Sequence, residues 1–426
     1  MNITQEKRWY WSVALAIAIA LPWCFYNWSA GRQSGFSVTL LSEIGVLIIF
    51  SLSFNMQFGQ AGLLSFGHAI LFGLGGYCTA HALNAIKTAG LWVPMELVPL
   101  AGGLGGLAFG VLFGYLATKQ RATAFAMITM GLGELVTAAA LMFIGFFGGE
   151  GGVSTDRVIG ASLIGMDYSS PVQVYYLIVA WGFISIYLMR LQTQTPLGRM
   201  ANAQRDNFER TQFVGYDPRL IRFYQFVLSG FFAGIAGGLF VVLHEIVTFD
   251  AVAAQKSSAA LLASYIGGVG GFFGPIIGSI VVVLMQSGVS LLSSAWLLYL
   301  GTLFVMMVMF APGGITGLLT MHKPIARIGR LRDLFFPYLR ILLPALLCLA
   351  GFVLLVELAS FTTIGASQGK EFKVVGFALD AGSPVPWISG FAILVAGVLW
   401  LRAAGRGFAV TWNALMEQAK AQGGMQ

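Results

Sequence analysis

The chain has 426 residues, of which 57% are hydrophobic and only 10% are charged. Soluble domains carry about a quarter charged residues, so this composition excludes a soluble globular protein. The net charge of +7 is spread over the loops between apolar segments, which argues against a nucleic-acid-binding patch and indicates membrane topology instead.

Apolar segments of about 20 residues, the length that crosses a bilayer, recur along the whole chain. The sequence therefore predicts an all-α polytopic membrane bundle, with about ten spans in its main body and two appended spans near the C-terminus. The first segment is longer than the apolar core of a signal peptide, so we expect it to stay in place as a span. The predicted spans are 9–29, 37–55, 61–85, 95–118, 123–147, 171–190, 220–243, 256–270, 273–294 and 296–311, followed by 341–359 and 386–403.

The positive charges predict the orientation of these spans. With the N-terminus inside, 18 of the 24 Lys and Arg residues fall on the cytoplasmic side, where such residues are enriched in membrane proteins. Both termini are then cytoplasmic. The residues left on the outer side are Arg32, Lys87, Arg157, Lys256, Lys370 and Lys373.

Two of the predicted spans are interrupted by glycine. Segment 61–85 holds five glycines around His68, and segment 256–270 ends in a glycine run before Gly274 and Pro275. Helices broken at membrane depth leave backbone groups that must be buried in protein or line a wet cavity, which is typical of transport pathways. Close packing of small residues explains the same glycines, and both interpretations stay open.

Glu134 stands inside the predicted span 123–147. A carboxylate at that depth costs several kcal/mol unless it is paired or hydrated, so it is a functional candidate. It would meet the ammonium group of a substrate or a cation such as Arg121, whereas a structural pair or a bond to the backbone is the alternative. Glu43 lies nearer the start of its span and is expected to be structural.

Amide and hydroxyl side chains cluster before His68. They offer hydrogen bonds to a small zwitterion without a charge cost, or they cap the broken helix. His68 has no metal-ligand partner at a suitable spacing and is expected to be a packing histidine rather than a ligand or a proton relay. The candidate substrate pathway comprises Asn55, Gln57, Gln60, Ser65, His68, Thr129 and Glu134.

Two loops are long enough to carry function. In the basic loop 190–222 we expect a helix over 200–214, ended by Gly215, which docks into a groove of a soluble partner or lies on anionic lipid. The Gly-rich outer loop 148–170 is expected to be solvated, with a lid as the alternative.

Four stretches, in this order, resemble the Liv family of branched-chain amino acid ABC permeases, in particular its LivM-like branch. The resemblance covers about 37–320. The stretches are 55–77 (NMQFGQAGLLSFGHAILFGLGGY), 126–134 (AMITMGLGE), the loop residues Gly198, Arg199, Ala203, Arg205, Asp206, Asn207 and Gly215, and 266–278 (IGGVGGFFGPIIG) with 310–315 (FAPGGI).

The resemblance implies that the chain forms half of a membrane pore in a bacterial-type inner membrane. A sister permease would form the other half, two cytosolic ABC ATPase subunits would hydrolyse ATP, and an extracytoplasmic binding protein would deliver the substrate. The same seven loop residues would couple the ATPase to the spans. The chain itself has no G-x-x-x-x-G-K-[ST] motif and no nucleophile with a base, so we expect neither a bound cofactor nor enzymatic activity.

The predicted domains are an N-terminal span (1–36), a permease core (37–320), a basic cytosolic linker (321–340) and a C-terminal extension (341–426) without counterpart in compact family members. The predicted function is ATP-driven import of branched-chain or related amino acids by alternating access. Three alternatives stay open: an ABC permease for urea, short amides or aromatic acids, an ion-coupled secondary transporter that uses Glu134, and a membrane scaffold.

Overall fold

The chain folds as a bundle of helices, and the computed structural model describes residues 13, 15–23, 34–159, 162–363, 372–374, 377–379 and 382–423. Helices dominate these residues, which confirms the predicted all-α polytopic fold. Nine of the described helices are long and apolar enough to cross a membrane. A pair bent by 45°, Trp296–Phe310 with Gly314–Arg327, is a further candidate. Of the predicted first span, residues 15–23 are helical and most of the remainder lies outside the described residues.

The helices belong to two compact units. Unit 1 comprises Met1–Leu284 and Phe304–Thr316, and unit 2 comprises Met285–Leu303 and Gly317–Gln426. In chain order the helices are α1 (Ser34–Asn55), α2 (Ala69–Ala89), α3 (Val98–Ala117), α4 (Ala122–Met142), α5 (Ile144–Phe147), α6 (Pro171–Gln194), α7 (Pro196–Asp206), α8 (Phe208–Phe213), α9 (Pro218–His244), α10 (Ala254–Gly267), α11 (Gly274–Val283), α12 (Trp296–Phe310), α13 (Gly314–Met321), α14 (Lys323–Arg327), α15 (Phe335–Thr363) and α16 (Pro384–Gly423). Two π-helical turns, Met56–Gln60 and Leu284–Gly288, extend α1 and α11.

Two short antiparallel ribbons complete the described structure. Strand β1 (Val153–Ser154) pairs with β2 (Ile246–Val247), and β3 (Phe372–Val374) pairs with β4 (Phe377–Leu379). The long helix α9 begins just after α8 and ends just before β2, so the β1–β2 ribbon lies at one end of unit 1, and α7 with α8 lies at the opposite end. We call these the β1–β2 end and the α7 end.

The core of unit 1 is the long, almost fully buried helix α9, packed between α2 and α3. Glycines allow the backbones to approach closely. A Cβ at Gly106 would lie 2.2 Å from the carbonyl oxygen of Gly230, and one at Gly237 would lie 1.8 Å from that of Phe72. Small residues at helix crossings are typical of membrane bundles, so close packing accounts for many of the chain's glycines.

The predicted span 256–270 is wrong, because helix α10 is too short to cross a membrane. It has 14 residues, which corresponds to about 21 Å of helix and falls short of the ~30 Å apolar layer of a bilayer. The predicted span 61–85 is also not one helix, because 62–65 has no regular structure, 66–68 forms a turn and α2 begins only at Ala69. Both glycine-interrupted segments are therefore broken within the bundle.

In its described residues the outer loop 148–170 is largely exposed or partly exposed, as expected, and it is also held by an ordered set of hydrogen bonds. Arg157 donates from Nε to the carbonyl of Tyr168 (2.9 Å) and from Nη1 to that of Leu243 (3.1 Å). The Tyr168 hydroxyl donates to Glu96 (2.9 Å), and burial together with this bond raises the pKa of Tyr168 to about 12. The hydroxyl thus keeps its proton and remains a donor at neutral pH.

Unit 2 contains the two appended helices, α15 and α16, which pack against each other. The predicted basic linker 321–340 is folded, because Ile325 and Leu334 form a small apolar cluster with Leu415 of α16. Helix α16 runs far beyond the predicted end of its span at 403. The linker is thus part of a compact structure with the last turns of α16.

Candidate functional site

Helix α7 contacts the C-terminal end of α1 through two side-chain hydrogen bonds. Gln204 Nε2 donates to the carbonyl of Ala61 (2.8 Å), and Arg205 Nη1 donates to the carbonyl of Gly59. These carbonyls belong to the π-helical turn and the residue after it, where a helix leaves acceptors unsatisfied and carries a partial negative charge. A cationic side chain is favourable at such an end, so Arg205 fixes α7 to α1.

Three capping side chains shape the loop around α7. Thr195 accepts from the amide of Gly198 (3.3 Å), Asn207 from that of Arg210 (2.9 Å) and Asp217 from that of Arg219 (2.8 Å). Each side chain starts a helix, α7, α8 or α9. The predicted single helix over 200–214 is therefore wrong: Asn207 is extended and divides it. Gly215 has φ +92° and follows the last turn, as predicted.

The other predicted coupling residues differ in exposure. Gly198 is buried, and a Cβ there would lie 2.3 Å from the carbonyl of Gln192. The exposed members are Arg199, Ala203, Arg205, Asp206, Asn207 and Gly215. Beyond them Phe213 is 90% exposed at the end of α8.

Arg121 stacks on the ring of Phe208, and both line a cleft of about 610 Å³ at the α7 end. Arg121 is thus engaged by α8, not by Glu134.

A chain of buried and half-buried amide side chains lies next to the π-helical turn that α7 contacts. Gln192 Nε2 donates to Gln225 Oε1 (2.7 Å), while Gln225 Nε2 donates to Gln60 Oε1 (3.0 Å) and to the carbonyl of Met56 (2.9 Å). Gln57 Nε2 donates to the hydroxyl of Ser229. The network ties the π-helical turn to α6 and α9. Sequence reasoning found Gln57 and Gln60 but missed Gln192, Gln225 and Ser229, although Gln225, an amide inside the predicted span 220–243, was a usable signal.

His68 packs at the start of α2, as expected. It is fully buried, lies parallel to the ring of Phe50 (5.3 Å between centroids) and bonds through Nε2 to the hydroxyl of Ser53 (2.9 Å). Asn55 and Ser65 are buried nearby in the sequence, and their side-chain oxygens have no hydrogen-bond partner among the described residues. Among the same residues, no group of three or more His, Cys, Asp and Glu could hold a metal ion.

Three broken or crossing elements meet at the start of α2. The amide of Ala69 donates to Ser257 Oγ in the first turn of α10 (2.8 Å). The amide of Phe66 donates to Thr129 Oγ1 of α4 (3.3 Å), and a Cβ at Gly67 would lie 2.0 Å from the Thr129 carbonyl. This junction lies beside Gly230, near the middle of α9, because Gly230 faces the side chain of Leu71 in the first turn of α2. The N-termini of α2 and α10 therefore meet near half depth of unit 1.

Glu134 lies apart from this polar set. It is exposed on α4, together with Met127 and Met130, whereas Thr129 is buried on another face of the helix. The structure thus gathers six of the seven predicted pathway residues in the interior. Glu134 faces away from unit 1.

The sequence also matches known proteins. Residues 36–313 match the family described as "Branched-chain amino acid transport system / permease component". The chain belongs to this family. It is 26% identical over 344 residues to the high-affinity branched-chain amino acid transport system permease protein LivM of Salmonella typhimurium and to that of Escherichia coli, which covers 75% of this chain and 77% of each relative. A probable LivM permease protein of Methanocaldococcus jannaschii is 25% identical over 250 residues, 51% of this chain and 70% of that protein. No solved structure is detectably similar.

Proposed function

We propose that the chain is the permease subunit of an ATP-driven ABC importer for branched-chain or related amino acids. Membership of the permease family and the two LivM relatives support this assignment. The observation that carries the mechanism is α7: one face is bonded to the end of α1, and the other is exposed. A helix held in this way suits the transfer of movement from a soluble partner into the bundle.

The proposed complex sits in a bacterial-type inner membrane with the α7 end and both termini in the cytoplasm. It contains a sister permease, two ABC ATPase subunits that bind ATP and an extracytoplasmic binding protein. The match over 36–313 supports treating 37–320 as the permease core and 341–426 as an extension.

The proposed relay starts at the exposed side chains of α7 and α8, including Phe213, which dock on the ATPase. When the ATPase subunits close, α7 moves and displaces the end of α1 through Arg205 and Gln204. The movement continues through the break at 62–68 to the junction with α4 and α10 and alternates access to the pathway. In this scheme Asn55, Gln57, Gln60, Ser65, His68 and Thr129 hold the broken helices in place.

Glu134 is proposed to line the pathway because of its exposed position on α4, and not because of contacts with the buried polar residues. A carboxylate that faced lipid near mid-span would be costly, so the exposed face of α4 is proposed to meet the sister permease and the wet pathway between the two subunits. Met127 and Met130 on the same face supply adaptable apolar contacts.

The proposed relay predicts different effects for two variants of this region. If the region only bound the ATPase, both variants would have the same effect. We expect Phe213→Ala to reduce co-purification of the ATPase subunits, because it removes an exposed anchor. Arg205→Ala should leave that association intact but lower leucine uptake per ATP hydrolysed, because the link between α7 and α1 is lost. Tyr115→Ala, an exposed aromatic residue on α3, is the control. The measurements are co-purification and ATP-dependent leucine uptake in proteoliposomes.

The proposed relay fails if Arg205→Ala keeps normal uptake per ATP. The assignment as an ABC permease fails if wild-type vesicles take up leucine on an ion gradient alone, without ATPase subunits.

A further inference from the structure

Lys256 stands in a helix of unit 1 and not in a loop. We predict it on the outer side of the membrane, and it lies in the first turn of α10, next to Ser257, whose hydroxyl accepts a hydrogen bond from the α2 backbone. Its ammonium group lies over two aromatic rings, 4.4 Å from the centroid of Phe240 and 5.7 Å from that of Phe72. Phe240 lies one turn before the end of α9, so this half-buried lysine is inside the bundle near its β1–β2 end, and an ionisable residue there is a functional candidate by default.

Among the described residues this cation forms no ion pair within 4.0 Å, although Glu43 and Asp250 attract the ammonium group electrostatically. The position also runs against the helix dipole, because the N-terminal turn of α10 favours anions rather than cations. The lysine and the helix start together form a positive locus, which an incoming anion would stabilise.

A negative pole lies close by. Glu43 of α1 is 3.8 Å from Nε2 of His244 at the end of α9, and the His244 ring packs 4.4 Å from that of Phe240. Phe240 thus contacts both the cation of α10 and the histidine that pairs with the carboxylate of α1. A positive and a negative group beside an aromatic side chain match the two charges and the apolar side chain of a zwitterionic amino acid.

We infer that Lys256 binds the carboxylate of the transported molecule and selects carboxylate-bearing cargo over neutral amides and urea. This inference rests on the proposed function, because it places Lys256 on the pathway of that permease. The neighbours Gln255 and Ser258 on α10 are exposed, and in this inference they line the pathway beside Lys256.

A cysteine reporter tests carboxylate recognition. In the assembled complex, with Cys24, Cys78 and Cys348 replaced by serine, Ser258→Cys is labelled with N-ethylmaleimide. An excess of free leucine should slow labelling several-fold, whereas leucinamide, which lacks the carboxylate, should not. Lys256→Met should raise the leucine concentration for half-maximal protection by about tenfold, as expected for the loss of one charge-assisted hydrogen bond, and Lys256→Arg should retain protection. Lys87→Met, at an exposed lysine of the β1–β2 end, is the matched control.

Equal protection by leucine and leucinamide in the unaltered Lys256 background overturns the inference, and so does full protection in Lys256→Met. The comparison of the two ligands needs no substitution of Lys256, so it holds even if that variant fails to assemble. ATP-dependent leucine uptake by the same reporter complex is measured in parallel. Absence of that uptake contradicts the proposed function, whereas normal uptake with equal protection by both ligands contradicts only the role of Lys256.

Discussion

Gly67 lies so close to the backbone of Thr129 in α4 that a residue with a side chain would not fit there. A Cβ at this position would lie 2.0 Å from the carbonyl oxygen of Thr129, far inside van der Waals contact. The adjacent amide of Phe66 donates to the Thr129 hydroxyl, so α4 and the break before α2 are held by a contact and a hydrogen bond at one point. This position needs glycine for space, because Gly67 is absent from the residues with positive φ.

We therefore expect Gly67→Ala to destabilise unit 1 by about 1–3 kcal/mol, the usual cost of overpacking a close-packed interior. The substitution should lower the melting temperature of the detergent-purified protein and reduce transport. Gly131→Ala on α4 is the control, because a Cβ there meets no atom within 4 Å. A Gly67→Ala protein as stable as Gly131→Ala would mean that α4 and the break are not in tight contact.

At the scale of single elements, α7 and α8 show what local sequence signals could have predicted. Thr195 before Pro196 is a helix start visible in the sequence, and Asn207 is a second one. The predicted single helix ignored the second signal, although a side chain that caps the next helix competes with continuation of the previous one. The hydrogen bonds from α7 to the carbonyls of Gly59 and Ala61 could not be predicted from the sequence, because they are tertiary contacts between distant segments.

The cap at Asn207 can be tested directly. Asn207→Ala removes the acceptor for the amide of Arg210 and should destabilise α8 by about 1 kcal/mol. Hydrogen exchange of the amides in 208–213 should then accelerate by about fivefold, the equilibrium change that this free energy implies. Asn202→Ala within α7, whose side chain donates to the carbonyl of Gly198, serves for comparison. Unchanged exchange in the Asn207 variant would show that tertiary contacts alone hold α8.

Helix α10 shows a different limit of sequence reasoning. Its apolar run predicted a full span, because hydrophobicity reports burial and does not reveal the depth at which a helix starts. The structure places residues 251–252 beside Gly73, so the chain has already entered the bundle before α10 begins. The glycine run marked the end of this element correctly, but its start depended on contacts with α2.

At the scale of the whole molecule, the division into a permease core (37–320) and an extension (341–426) stays a prediction. The family match ends at 313, and both appended segments contain long helices. The internal structure of unit 2 was not predicted. Helix α16 has 40 residues and measures about 60 Å, twice the apolar layer of a bilayer, so its second half must leave that layer. Apolar residues of that half cover the segment that composition alone marked as a linker.

Unit 2 also contains the start of α12, to which α15 is attached by polar contacts. The Tyr299 hydroxyl donates to Glu357 (2.7 Å), and Ser294 lies 2.9 Å from Ser360, oxygen to oxygen. A carboxylate within an apolar helix is costly without a donor, so the bond from Tyr299 should hold α15 against α12.

Cysteines at the serine pair provide the test of this attachment. In a background without native cysteines, Ser294→Cys with Ser360→Cys should form a disulfide on mild oxidation, because the two hydroxyls are in contact. Adding Tyr299→Phe should lower the yield, since Glu357 then lacks its donor and α15 separates more readily from α12. Ser294→Cys with Thr362→Cys is the control, because Thr362 stands two residues beyond Ser360, on another and exposed face of α15. Equal yields from the two cysteine pairs, or a yield that Tyr299→Phe leaves unchanged, would contradict a fixed attachment of α15 to the start of α12.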